Sequence, residues 1–156
     1  GMVDLGTLGG SYSSPVAVND SGQIVGNSYI ANNTDVHAAL WLDTATVSID
    51  IRPGSHPNSI NPRSRGALPV AILTTTTFDA ATVDPTTVRF GPRGATHRGW
   101  HVADVDGDGD SDLFLFFRIE ASGIQCGDTS APLTGGTFGG QPIQGMDSVR
   151  TVGCGN

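Results

Sequence analysis

Short apolar runs broken by turn residues set the pattern of this chain. Val47, Ile49 and Ile51 alternate with Ser48, Asp50 and Arg52, the period of a half-buried strand. Leu113-Phe114-Leu115-Phe116-Phe117 is apolar on both faces, which predicts a strand at the centre of a sandwich. The same reading places strands near Val16–Asn19, Gln23–Tyr29, Val36–Leu42, Thr46–Arg52, Leu68–Thr75, Thr86–Gly91, Trp100–Ala103, Leu113–Ile119, Ala131–Thr137 and Ser148–Val152. Asn19-Asp20-Ser21-Gly22 predicts a hairpin turn between the first two. No window carries a convincing period of 3.6. Short strands with regular turn signals predict an all-β fold, a Greek-key β-sandwich over residues 46–154. The first 43 residues are rich in Gly, Ser and Asn and hold about three strands, too few to bury a core alone. A boundary is therefore expected at Asp43-Thr44-Ala45, between a β segment, 1–43, and a domain, 46–154.

Composition strengthens the all-β reading. The 156 residues include 22 Gly, 9 Pro, 14 Asp and 8 Arg, but one Glu (Glu120) and no Lys. Glu and Lys favour helix, whereas Asp and Gly do not. The net charge of −7 argues against nucleic acid as the main partner, because phosphate binding needs a basic face. No stretch approaches the ~18–20 apolar residues of a membrane span. Gly1-Met2-Val3-Asp4 has no basic region followed by an apolar one, so no signal peptide is read at this start.

The acidity is concentrated. Five of the 15 acids lie between Asp104 and Asp112. Asp104-Val105-Asp106-Gly107-Asp108-Gly109-Asp110-Ser111-Asp112 fits D-x-D-x-D-G-x-x-D, the first nine positions of an EF-hand-type loop. Asp104, Asp106 and Asp108 are expected to wrap one cation, with Gly109 allowing the sharp turn. Asp110 would offer its backbone carbonyl, and Asp112 would bind directly or through water. Hard oxygen ligands favour Ca²⁺ over zinc or copper. Position 12 is Leu115, so the usual bidentate Glu is absent, and the loop leads into a strand rather than a helix. Without a cation, five like charges in nine residues repel one another; the competing reading is a metal-free acidic turn. A second cation site is open among Asp50, Asn58, Asn61, Asp79, Asp84, Asp128 and Asp147, each of which also serves as a turn former.

Cys126 and Cys154 are the only cysteines, without a CxxC or a nearby His, so no zinc site is read. They read as one disulfide, which implies an oxidising, extracellular setting; two unrelated buried thiols are the alternative.

Asp4-Leu5-Gly6-Thr7-Leu8-Gly9-Gly10, Val18-Asn19-Asp20-Ser21-Gly22-Gln23-Ile24-Val25-Gly26 and His37-Ala38-Ala39-Leu40-Trp41 together resemble the bacterial extracellular repeat called HAF, with Ala39 where that pattern has Phe. The resemblance covers one copy, residues 4–42, and implies a unit that stacks on others. Ile49-Asp50-Ile51-Arg52-Pro53-Gly54-Ser55, Asn58-Ser59-Ile60-Asn61-Pro62-Arg63-Ser64-Arg65-Gly66, Val88-Arg89-Phe90-Gly91-Pro92 and Asp104–Asp110 resemble a module common in secreted bacterial proteins. Gly127-Asp128-Thr129 and Asp147-Ser148-Val149-Arg150 fit the same module. That family has no defined activity.

Catalysis finds little support. No G-x-S-x-G nucleophile elbow exists, and a glycosidase carboxylate pair would have to use Asp residues already committed to the loop or to turns. Sugar stacking on Trp41, Trp100, Tyr12 or Tyr29 is a rival reading, and Arg63, Arg65, Arg93 and Arg98 are a weaker candidate for an anion patch. The expectation is a secreted, non-enzymatic, calcium-stabilised structural or adhesive module. It would assemble with copies of itself into filaments by strand addition, or bind extracellular polysaccharide as an accessory domain.

Overall fold

A computed structural model describes residues 4–19 and 23–155; Asp20-Ser21-Gly22 of the expected hairpin turn, and the Gly1-Met2-Val3 start, lie outside the described residues. The chain falls into two compact units, Gly1–Asp43 and Thr44–Asn156. Both are β-rich, as the turn-punctuated pattern requires.

In the first unit, β1 (Gly9–Val18), β2 (Gln23–Ile30) and β3 (Val36–Leu42) form an antiparallel sheet in that order. Strand β1 is longer than its sequence suggests, because Gly-Gly-Ser-Tyr-Ser-Ser has weak strand propensity. Close approach explains why such residues are used. A Cβ on Gly26 would lie 2.1 Å from the Ser14 carbonyl oxygen, and one on Gly10 would lie 2.5 Å from Tyr29 Cβ. Ser28, 1% exposed, accepts the Leu8 N–H at 2.8 Å through its hydroxyl. Gly26 and Ser28 are the buried positions among the described residues of this unit.

The second unit is a sandwich. Its elements are β4 (Ala45–Thr46), β5 (Ile49–Ile51), β6 (Ser59–Ile60), β7 (Ala67–Ile72), β8 (Arg89–Phe90), β9 (Ala95–Thr96), β10 (Trp100–Ala103), β11 (Asp112–Arg118), helix α1 (Ile119–Ser122), β12 (Ser130–Gly136), β13 (Pro142–Ser148) and β14 (Arg150–Thr151). One sheet has the order β10-β11-β7-β5 and the other β4-β13-β12-β8-β9, and β6 pairs with β14. The chain switches between the two main sheets, from β4 to β5, from β7 to β8, from β9 to β10 and from β11 to β12, so that sequential pairs such as β10 with β11 and β12 with β13 sit beside strands from distant segments, β7 and β8. Ile51, Val70, Ile72, Leu115 and Phe117 of the first sheet meet Phe90, Ala131, Leu133 and Ile143 of the second in one buried cluster. The Phe90 and Phe117 rings touch, with centroids 5.1 Å apart. Strand β11 runs between β10 and β7, and its apolar run buries Leu113, Leu115 and Phe117 while Phe114 and Phe116 stay half-buried on the other face.

Three differences from the expected strands have physical causes. The expected strand Thr86–Gly91 shrinks to β8, because the Asp84 carboxylate accepts the Thr86 N–H at 3.0 Å and caps a 3-10 turn over Pro85–Thr87. Thr46–Arg52 divides into β4 and β5. The last main strand is β13, and the expected Ser148–Val152 keeps only the short β14. The inward position of β13 beside Ile143 is Gly145, where a Cβ would come within 2.7 Å of Ile49 Cγ2 and 3.0 Å of the Val47 carbonyl oxygen. Close packing has removed the apolar residue that would have announced the strand.

Candidate metal centre

The loop between β10 and β11 is a chain of aspartate turns. The Asp104 carboxylate accepts the Gly107 N–H at 2.7 Å and the Gly109 N–H at 3.2 Å. Asp106 accepts the Asp108 N–H at 3.3 Å, and Asp108 accepts the Asp110 N–H at 3.0 Å. Gly107 and Gly109 hold φ of 83° and 97°, a region that side chains with a Cβ rarely adopt. The backbone thus curls around its own carboxylates.

This curl brings Asp104, Asp106 and Asp108 together, with one oxygen from each lying within 4.8 Å of the others. All three are exposed, and among the described residues none has an arginine partner. Arg65 and Arg118 instead meet Glu120, at 3.9 and 2.8 Å. A group of three close, uncompensated carboxylates can hold a metal ion.

Asp110 and Asp112 are not among those three carboxylates. Asp112 is 1% exposed. Its Oδ1 accepts the Thr74 N–H and its Oδ2 the Val105 N–H, both at 2.8 Å. It therefore anchors the loop to the segment that follows β7 and closes it on itself. Thr74 completes the anchor, donating its hydroxyl to the Ser111 carbonyl at 2.7 Å. Thr74 carries no sequence signal, since it begins a run of four threonines, Thr74 to Thr77. The Asp110 side chain is pushed up to about 6 by desolvation, then by the Asp108 charge and a hydrogen bond to Asp108, with Asp112 and Asp106 adding to it. Asp110 is half-buried, and the neighbouring negative charges around it are what a cation would relieve.

Cys126 and Cys154 form a disulfide with Cα atoms 5.7 Å apart, so the alternative of two separate thiols is set aside. Among the aromatic candidates, Trp100 is 50% exposed at the start of β10, Trp41 is half-buried, and Tyr12 meets Tyr29 edge-on at 6.5 Å. His101, Phe114 and Phe116 form a ring cluster across β10 and β11, with centroids 5.0 to 5.7 Å apart. No helix among the described residues is long and apolar enough to cross a membrane. No family model, no curated protein and no solved structure matches the chain.

Proposed function

We propose that this chain is a secreted, calcium-stabilised structural or adhesive module, without catalytic activity, that works outside the cell. The observation that carries the reading is the Asp104, Asp106 and Asp108 group: three carboxylates within 4.8 Å, presented by a loop whose glycines and N–H groups hold them there. Hard oxygen ligands of this kind suit Ca²⁺ better than a soft metal. The disulfide fits an oxidising compartment. The resemblances of 4–42 to the HAF repeat and of 47–154 to a secreted bacterial module point to the same setting. Assembly by strand addition draws support from the first unit, whose outer strands β1 and β3 carry exposed Val16, Val18, Val36 and Leu40.

Thermal melts with CaCl₂ and with chelator test this. At 100 times its dissociation constant a ligand adds about 2.7 kcal/mol. The melting midpoint should rise with calcium, and Asp106→Asn should abolish most of the rise; equal midpoints with and without calcium would sink the reading.

A carbohydrate-binding role is the second reading, favoured by the exposed ring of Trp100 at the start of β10. A glycan array probed with wild type and Trp100→Ala separates it from the first.

A further inference from the structure

The loop does not exhaust the acidic chemistry of the sandwich. A cavity of about 480 Å³ opens where β5 and β13 meet, lined among the described residues by Asp50, Ser55, His56, Asn58, Asp147 and Ser148 among others, and by no arginine. Asn58 is 5% exposed. Its Nδ2 donates to Asp147 Oδ2 at 2.9 Å and to the Ser148 carbonyl at 3.0 Å. Two acceptors fix the orientation of the amide, so its Oδ1 is the remaining polar atom, and that atom is buried with no donor. A buried carbonyl oxygen of this kind is costly unless something electropositive meets it.

Asp147 is held just as firmly. Its Oδ2 also accepts the Ile51 N–H at 2.9 Å, and its Oδ1 accepts the Ser148 N–H at 2.6 Å. Oδ1 also accepts the Ser148 hydroxyl at 3.4 Å, the longest of the four hydrogen bonds on this carboxylate and the one a cation would displace. Asp50 sits at the middle of β5, opposite Ala71. Desolvation, then repulsion from Asp147 and from Asp106, holds its carboxyl above the ordinary range.

We propose that Asp50, the Asn58 side-chain oxygen and Asp147 bind a second divalent cation of the calcium class, separate from the Asp104–Asp108 group. Each contributes a hard oxygen, and the Ser55 and Ser148 hydroxyls or water complete the six to eight that calcium takes. A water molecule alone could donate to Asn58, but it would not offset two neighbouring carboxylates in a cavity without an arginine. A cation does both. Its ligands come from β5, from the segment before β6 and from β13, so it would tie the two main sheets at their common edge.

Native mass spectrometry and titration calorimetry on the full, disulfide-bonded chain, with CaCl₂ as the probe, test the site. The wild type should bind two ions. Asp104→Asn, Asp106→Asn and Asp108→Asn combined should leave one, and adding Asp50→Asn should remove it. Asp50 makes no hydrogen bond through its carboxylate, so this change is mild. As a measurement independent of that variant, calcium added to the triple loop variant should slow hydrogen exchange at the Ile51 and Ser148 amides. A folded triple variant that binds no ion overturns the proposal. So does an ion that survives Asp50→Asn, or unchanged exchange at both amides. A wild type that binds one ion, lost with Asp50→Asn but kept by the triple variant, would sink the loop reading and leave this one standing.

Discussion

Among the described residues of the first unit the buried positions are a glycine and a serine; in the second, the buried cluster runs from Val47 to Val149 and includes two phenylalanines with no exposure at all. The units share strand content yet draw on different interactions. The second gains stability from apolar area removed from water between two sheets. The first has one sheet, and its described contacts include backbone pairing, the Ser28 and Asn33 side-chain bonds to Leu8 and Ser11, the edge-on Tyr12 and Tyr29 rings, and backbones packed through glycine. Apolar truncation should therefore injure the second unit and spare the first. An added methyl at a glycine should injure both.

The largest expected effect is in the sandwich core. Phe117→Ala removes a fully buried ring packed on Phe90 and should cost about 3–5 kcal/mol. Urea unfolding measures this; a loss under 1 kcal/mol would mean the two sheets are not held by that contact. Next comes the disulfide. Cys126 and Cys154 are 28 residues apart, and opening a loop of that size should cost roughly 3–4 kcal/mol in the chain-entropy model. The double serine variant, compared with wild type by urea unfolding, gives the value.

The glycines supply the next contrast. Gly145→Ala in β13 drives a Cβ against Ile49 and the Val47 carbonyl, and Gly26→Ala in β2 drives one into the Ser14 carbonyl. Each forces a backbone shift, and overpacking of this kind costs about 1–3 kcal/mol. Gly145→Ala should appear in the global unfolding curve. Gly26→Ala should appear in hydrogen exchange at the amides of β1 and β2. If the exchange of Ala17 and Val25 is unchanged, glycine packing is not what holds the first sheet.

How much of this was readable in the residues depended on sequence distance. The cation loop is legible because its three gathered carboxylates are alternate residues, and the aspartate turns that gather them are local. Asp112 fits the same motif by spacing, but its role is set by Thr74, 38 residues earlier, and spacing says nothing of that. Strand β11 is legible because five consecutive apolar residues need cover on both faces. Strand β13 is hidden because Gly145 replaces the side chain that periodicity looks for. Asn58 and Asp147 can both be named as oxygen-bearing turn residues, yet their pairing spans 89 positions and rests on sheet-to-sheet packing. Two cysteines admit one intramolecular pairing, so counting left open only whether it forms, and the packing that brings Cys126 to Cys154 answers that.

The smallest effect sharpens the comparison most. Val16 is 71% exposed and is the extra residue of a bulge, since Pro15 faces Gly26 and Ala17 faces Val25. Val18, 67% exposed, ends the same strand. Changing both to Thr keeps the β-branched shape that suits a strand and removes apolar surface already in water. Stability should move by no more than about 0.5 kcal/mol. If the exposed valines serve assembly, light scattering should fall in the same variant while the melting midpoint holds. A loss of stability on the scale of Phe117→Ala would show instead that both valines are packed in solution, and the contrast between a sheet held by its backbone and a sandwich held by its core would fail.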